Sequence, residues 1–454
     1  MSVLVEGFDC DAIALAGFLA REGNTVRLAG GGEVPDDPAS LEACGILLEP
    51  DRDLDRDPGP AEVAYLDVWT PEVAPRVLRL RAQGTHISCL ADLLLERWPG
   101  PTIGITGTAG KTTTTSLVAS ILRVGGTDLV IGTGARAGNL WPTGELLGLL
   151  PGTEPTERTL LVELTSSHLA FTNRSPTVAA IVSFWPDHLE LHGDLERYRA
   201  AKATIAQHQS VDEALVLNAD DAAASFSAEA RGHLLEFSLR QPVRRGAYRR
   251  SASELVLVGP SGSEVSVRAP FDAAAHPGNV VAAAAIAEAL GASASDVASG
   301  IAGATSLPFR ARQIGTLRGA LVVDDGMAAT PAKSQALLAT YADNSIVLIA
   351  GGSDDAGGGP VHATSEEAQR LASACDEIAR VARSAILFGV AGARLGTLLR
   401  ERDVDVLEAK DLAAAVAAAT GRAAGAVAIV FSPLFPVSME DRVGFSSLIA
   451  RSAR

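Results

Sequence analysis

The residues whose types and spacing could do chemistry begin with Gly104, Gly107, Gly110, Lys111, Thr112 and Thr113, which close an apolar run and open a helical pattern. Glycines let backbone N–H groups converge on an anion, and the helix behind them adds its positive N-terminal end. A lysine in this position reaches terminal phosphates, and the Thr112 hydroxyl is placed to hold Mg²⁺. The spacing is not that of the strict P-loop, because Gly104 lies one residue too far upstream and Ile105 stands where that pattern wants glycine. A variant nucleotide cradle is therefore expected, with Thr108, Ala109, Gly110, Lys111, Thr112 and Thr113 as its contacts. The bland alternative is a glycine turn that binds nothing, which the Gly-Lys-Thr-Thr run and following helix disfavour.

Further polar groups fall where apolar strands end. Glu163 closes the run Thr159-Leu160-Leu161-Val162 and reads as a Mg²⁺ ligand rather than an exposed strand-end glutamate, because apolar residues flank it. The strand pattern over 178–183 leads into Asp187-His188-Leu189-Glu190-Leu191-His192. In open α/β sheets that edge of the strands holds the ligand. A lone histidine is more often structural, which disposes of His192 taken alone, whereas His188 has acidic company. Lys202 sits among small residues in a helical pattern and by itself reads as a solvated charge. The glycine-rich turn containing Gly134, Gly138 and Asn139 is a candidate substrate loop.

These groups must be positioned by alternating strands and helices. From Val3 onward the order is apolar run, turn, helix, apolar run, a βαβ beginning. Its first turn, residues 6–11, stands where a dinucleotide fold places a glycine-rich phosphate loop, yet it holds one glycine and the carboxylates Glu6, Asp9 and Asp11. Its charge is wrong for a pyrophosphate, and Asp9 and Asp11 read more simply as helix caps. Two prolines and a glycine interrupt the pattern at Trp98-Pro99-Gly100-Pro101, marking a boundary before the cradle strand. A third strand–turn–helix succession starts near residue 306. An α/β fold of three domains follows, with bounds 1–98, 99–305 and 306–454.

The 454 residues carry 38 Lys+Arg against 54 Asp+Glu, a net charge of −16. That balance argues against nucleic acid or an anionic membrane surface as the main partner and favours small-molecule substrates. Cys10, Cys44, Cys89 and Cys375 lie far apart without metal spacing, so a reduced, cytoplasmic setting without disulfides is expected. The N-terminus lacks a secretory pattern, and no apolar run is long and charge-free enough to span a bilayer.

Taken together, the motifs resemble those of the Mur ligases over nearly the whole chain, and most closely those of the members that join D-glutamate to UDP-N-acetylmuramoyl-L-alanine. The cradle at 104–113, Glu163-Leu164-Thr165-Ser166, the Asp187–His192 run and Tyr198-Arg199-Ala200-Ala201-Lys202 match family motifs in order and spacing. The resemblance implies an N-terminal Rossmann-like donor domain, a central P-loop ATPase-type domain with a mostly parallel sheet and flanking helices, and a C-terminal Rossmann-like domain. It implies ATP and two Mg²⁺ ions, one held by Thr112 and Glu163, the other by His188 and a carbamylated Lys202. A carbamate turns a cation into an oxygen ligand that a hard divalent ion accepts. Asn279 matches one asparagine of the family's adenine contact, with His276 two residues early and Ala282 in place of the second asparagine. Arg310, in Leu307-Pro308-Phe309-Arg310, and Asp325 are implied nucleotide contacts. Gly138, Asn139, Thr165, Ser166 and Ser438 are implied substrate contacts, and domain closure would bring Arg310 and Asp325 onto the nucleotide.

The implied reaction is ATP-dependent amide formation in peptidoglycan precursor synthesis: a donor carboxylate becomes an acyl phosphate, and an amino acid amine displaces phosphate. The substrate loops depart from the pattern. Asp354 and Asp355 stand where D-glutamate-adding members place a lysine, and the turn between Pro433 and Arg442 is short. Those residues leave open a related ligase with a different donor or acceptor. A non-catalytic nucleotide-binding homologue is the third reading, disfavoured because Lys111, Glu163, His188 and Lys202 are kept together.

Overall fold

The computed structural model describes residues 1–32, 37–133, 139–150, 154–269, 277–305, 307–353 and 365–452. The sequence expectations for Gly134, Gly138, His276, Asp354 and Asp355 lie outside these residues. Three sheets organise the chain, and the described residues form two compact units, one holding the first two sheets and the other running from Thr305.

The first sheet has the order Ile46–Glu49, Thr25–Ala29, Ser2–Glu6, Val63–Tyr65, His86–Ser88, with every pairing parallel. Chain order reverses direction between Ser2–Glu6 and Val63–Tyr65, so a crevice opens beyond the C-terminal ends of those two strands. The helix Cys10–Arg21 follows the first strand. Asp9 caps it by accepting the Ala12 N–H at 2.8 Å, as the sequence reading favoured.

The second sheet has nine strands. Leu129–Ile131, Thr159–Glu163, Thr102–Thr106, Val178–Ile181, Ala214–Asn218, His233–Ser238 and Gly246–Ser251 run parallel, and Glu254–Val258 and Glu264–Arg268 complete one edge antiparallel. All residues of Thr102–Thr106 and of Thr159–Glu163 are buried, which explains their near-continuous apolar sequences: helices cover both faces of a parallel sheet. Glu163 is the exception in composition and still 3% exposed. One continuous apolar core runs from Val3 to Phe226, joining the first sheet to the second.

In the second unit the order is Arg312–Leu317, Ala320–Asp324, Ala428–Leu434, Ile346–Gly351, Ala382–Phe388, Val406–Ala409, parallel except at the first pair. Separate apolar cores cover its two faces. No helix among the described residues is long and apolar enough to cross a membrane. All four cysteines are free, Cys89 and Cys375 buried and Cys10 and Cys44 exposed.

Candidate active site

The cradle loop joins the strand Thr102–Thr106 to the helix Lys111–Val124. Gly110 caps that helix at φ +84°, a left-handed conformation suited to glycine, and a Cβ there would collide with Asn279 Oδ1. Gly104, read from the sequence as the first cradle glycine, instead lies inside the strand, where the missing side chain leaves room for Pro176. Its unusual spacing therefore reflects close packing of the strand, and the loop proper is residues 107–110.

Two neighbouring elements fix the loop. The Thr108 N–H donates to the Ser183 carbonyl at 3.0 Å, and the Ala109 N–H donates to Ser183 Oγ at 2.9 Å. Thr108 Oγ1 lies 3.0 Å from the Trp185 carbonyl and 2.9 Å from the Tyr198 hydroxyl. Lys111 Nζ donates to the Gly107 carbonyl at 2.9 Å. Sequence reasoning gave no role to Ser183 or Tyr198. Ser183 ends a buried strand pattern, and Tyr198 lies one helical turn before Lys202, which are the signals that could have singled them out.

Thr112 and Glu163 come together as expected: Thr112 Oγ1 donates to Glu163 Oε2 at 2.6 Å, and both are buried. Glu163 Oε2 also accepts the Leu140 N–H at 3.2 Å, which ties the segment after Gly138 and Asn139 to the same carboxylate. Hard oxygen donors at the start of a cradle helix fit Mg²⁺. Lys202, 1% exposed, projects from the helix Leu195–Gln207 with Nζ 3.3 Å from Thr106 Oγ1 and 4.9 Å from the Tyr198 ring centre. It is no solvated charge. His188 stands apart in environment: its backbone is left-handed at φ 52°, its side chain is 45% exposed, and its ring nitrogens face Glu190 Oε1 at 3.3 Å and Asp187 Oδ2 at 3.7 Å. His192 is the buried histidine, with Nδ1 3.4 Å from Glu72 Oε2. Among the described residues no three His, Cys, Asp or Glu side chains converge on a metal position.

Thr165 caps the helix Ser166–Ala170 and shares reciprocal hydrogen bonds with His168, while Ser166 is buried. Burial, reinforced by the Lys111 charge, pushes His168 down to about 4. In the second unit Arg310 lies between Phe309 and Ala311, both at positive φ, and donates to the Pro308 carbonyl at 3.4 Å. Asp325 accepts the Ala311 N–H at 3.1 Å and the Ser432 hydroxyl at 2.9 Å. Burial pushes Asp325 up to about 7 and its neighbour Asp324 up to about 6. Ser438 accepts the Asp441 N–H at 3.0 Å and donates to its carboxylate, a helix-capping arrangement.

Comparison with known proteins bears on this arrangement. The Mur ligase middle domain model matches residues 105–287. A UDP-N-acetylmuramoylalanine–D-glutamate ligase of Frankia casuarinae is 32% identical over 364 residues, covering 78% of this chain and 74% of the relative. The chain belongs to the Mur ligase family. The enzyme of the same name from Symbiobacterium thermophilum is 35% identical over 301 residues, and that match covers 64% of each chain. Among solved Mur ligases, the fold matches the UDP-N-acetylmuramate-alanine ligase of Thermotoga maritima at TM-score 0.60 and 19% identity over the whole of both chains. It matches MurF of Acinetobacter baumannii at 0.61 and 18%, covering 97% of this chain and 93% of that one. The matched middle domain contains the cradle, Glu163, His188, Lys202 and Asn279.

Proposed function

We propose that this Mur ligase family member is an ATP-dependent carboxylate–amine ligase. The observation that carries the reading is the buried Thr112–Glu163 pair at the mouth of a glycine-capped cradle helix. Thr108 to Thr113 and Asn279 are assigned to ATP, Lys111 to its terminal phosphates, and Thr112 and Glu163 to one Mg²⁺. A second Mg²⁺ is assigned to His188 and a carbamylated Lys202. Bound Mg²⁺ would neutralise charge as a carboxylate attacks the γ-phosphate. The chain's own groups hold the loop through Ser183 and Tyr198, orient the phosphates and bury the metal carboxylate from water. Arg310 and Asp325 are assigned to the nucleotide, and Asn139, Thr165, Ser166 and Ser438 to substrate, on the family resemblance; the domain bounds 1–98, 99–305 and 306–454 are proposed on the same ground.

The names of the relatives point to UDP-N-acetylmuramoyl-L-alanine as donor and D-glutamate as acceptor. A second reading, the same chemistry with a different donor, is favoured by the carboxylates Glu6, Asp9 and Asp11 at the crevice of the first sheet. Phosphate release should be measured with a matrix of donors and amino acids. Release that requires both a donor and an amine supports the ligase reading, and the preferred pair decides between donors. ATP hydrolysis unaffected by any donor or amine would overturn it.

A further inference from the structure

In the second unit the parallel strands Ala320–Asp324, Ala428–Leu434 and Ile346–Gly351 end at one edge, the edge where open α/β sheets hold ligands. The chain beyond them is drawn together there. The Ser353 N–H donates to the Pro436 carbonyl at 2.9 Å, and the Leu434 N–H donates to the Ala328 carbonyl at 3.1 Å. The helix Met439–Ser452 then starts with Ser438 as its cap, and Arg442 closes the first turn by donating its backbone N–H to the Ser438 carbonyl at 3.1 Å. The Arg442 stem lies against Gly326, where a Cβ would stand 3.5 Å from Arg442 Cγ.

This guanidinium has no counter-charge. Its Nε is buried without a hydrogen-bond partner, and Nη1 donates to Met439 Sδ at 3.6 Å, a weak acceptor. Among the described residues it forms no ion pair, and burial lowers its pKa with no charged neighbour acting the other way. The carboxylates nearby are engaged elsewhere. Asp441 accepts the Ser438 hydroxyl at 2.8 Å, Asp324 Oδ1 accepts the Gly326 N–H at 3.0 Å, and Asp325 is held by Ala311 and Ser432. By contrast the partly buried Arg27, Arg52 and Arg402 meet Glu49, Glu49 and Asp376 at 3.0, 3.1 and 2.6 Å. A guanidinium stays charged at physiological pH, so burying part of it unpaired is costly and leaves a cation ready for an anion from outside the chain.

We propose that Arg442 binds the α-carboxylate of the amino acid whose amine is acylated. The inference rests on the ligase reading above. Of the substrates of such a reaction, ATP is assigned to the cradle, whereas the acceptor carries one anion whatever its side chain. That carboxylate must be held so that the amine, and not the carboxylate, meets the acyl group. The Nε and Nη edge of a guanidinium matches a carboxylate through two parallel hydrogen bonds, one of which would satisfy the buried Nε–H. A diphosphate carries more charge than a lone guanidinium offsets, so the acceptor fits this site better than the donor.

Phosphate release by the full-length protein, with thermal unfolding beside it, tests the assignment. D-Glutamate and its α-carboxamide, D-isoglutamine, serve as acceptors with UDP-N-acetylmuramoyl-L-alanine as donor; if another amino acid is preferred, it and its α-carboxamide take their place. Arg442→Met should raise the KM for D-glutamate by about ten- to a hundredfold and leave the KM values for ATP and donor unchanged. Arg442→Lys, which keeps the charge and loses the fork, should fall between. D-Isoglutamine should be a poor acceptor for the parent and lose nothing further in Arg442→Met. Because the charge is unpaired, Arg442→Met should melt at or above the parent temperature. An unchanged KM for D-glutamate, an equal rise for D-isoglutamine, a rise confined to ATP or donor, or melting of Arg442→Met well below the parent would overturn the proposal and leave the ligase reading standing. Parent phosphate release that needs no amine would overturn that reading and this one with it.

Discussion

Thr112 Oγ1 donates to Glu163 Oε2 across 2.6 Å, joining the first turn of the cradle helix to the end of the strand Thr159–Glu163. Two segments 51 residues apart in sequence thus share one buried hydrogen bond. Removing the hydroxyl leaves a buried carboxylate with fewer donors. Thr112→Val, similar in shape, should lower unfolding stability by about 1–3 kcal/mol in urea titrations. Glu163→Gln keeps an acceptor and should cost less stability, while slowing Mg²⁺-dependent phosphate release by about 10²-fold or more. Equal activity of the Glu163→Gln enzyme across Mg²⁺ concentrations would remove Glu163 from the metal site.

Asp325 offers a pH signature. Its folded pKa, pushed up to about 7, lies above the usual value near 3.8, so the folded state retains a proton that the unfolded chain releases. Stability from this group is full below the unfolded value and falls as pH rises toward 7, by at most about 1.4 kcal/mol per pH unit. Asp324, pushed up to about 6, contributes in the same direction, so the difference in slope between parent and variant, rather than the parent slope alone, reports Asp325. Thermal unfolding of Asp325→Asn should show a flatter slope than the parent as pH rises toward 7. An unchanged slope would mean that the carboxylate ionises freely in the folded protein.

The parallel sheets were legible because continuous apolar runs such as Leu160-Leu161-Val162 have few other uses, and the strand ends marked the right edge for ligands. Glu163 stood out for the same reason, as a carboxylate among apolar neighbours, whereas its pairing with Thr112 came from the family resemblance. What could not be read was three-dimensional proximity. Lys202 looks solvated in sequence because small residues surround it, whereas helix packing places it beneath Tyr198 and against Thr106. The sequence set His192 aside as structural but could not show that Glu72 from the first sheet's domain reaches it, nor that His188 is half exposed. Whether Gly104 served the turn or the strand was not legible, because a glycine required by packing and one required by a turn look alike in sequence.

Lys202 separates stability from activity. A buried ammonium is costly unless well compensated, and replacing such a group with an apolar side chain of similar length is often neutral or stabilising. Lys202→Met should therefore melt within a few degrees of the parent or above it, while losing substrate-dependent phosphate release. If the lysine works as a carbamate, the parent enzyme stripped of dissolved CO₂ should regain activity on adding bicarbonate. Full activity of Lys202→Met, or indifference of the stripped parent to bicarbonate, would refute the carbamate assignment.

Gly110 and Gly104 allow the loop and the strand to be tested against one another. Gly110 adopts φ +84°, so Gly110→Ala imposes a left-handed alanine, about 1–2 kcal/mol, and drives its Cβ into Asn279 Oδ1. Both effects act at the cradle, so ATP affinity should fall at least tenfold, more than the stability loss alone explains. Gly104 sits in the strand Thr102–Thr106, and the alanine methyl would meet Pro176 and Leu164. That is overpacking of a core, with a typical cost of about 1–3 kcal/mol. Gly104→Ala should accordingly lower the melting temperature while changing ATP affinity little in whatever fraction remains folded. Calorimetric titration with ATP, beside thermal unfolding, checks both variants. If Gly104→Ala abolished ATP binding in a folded protein while Gly110→Ala spared it, the phosphate-binding turn would have to begin within the strand.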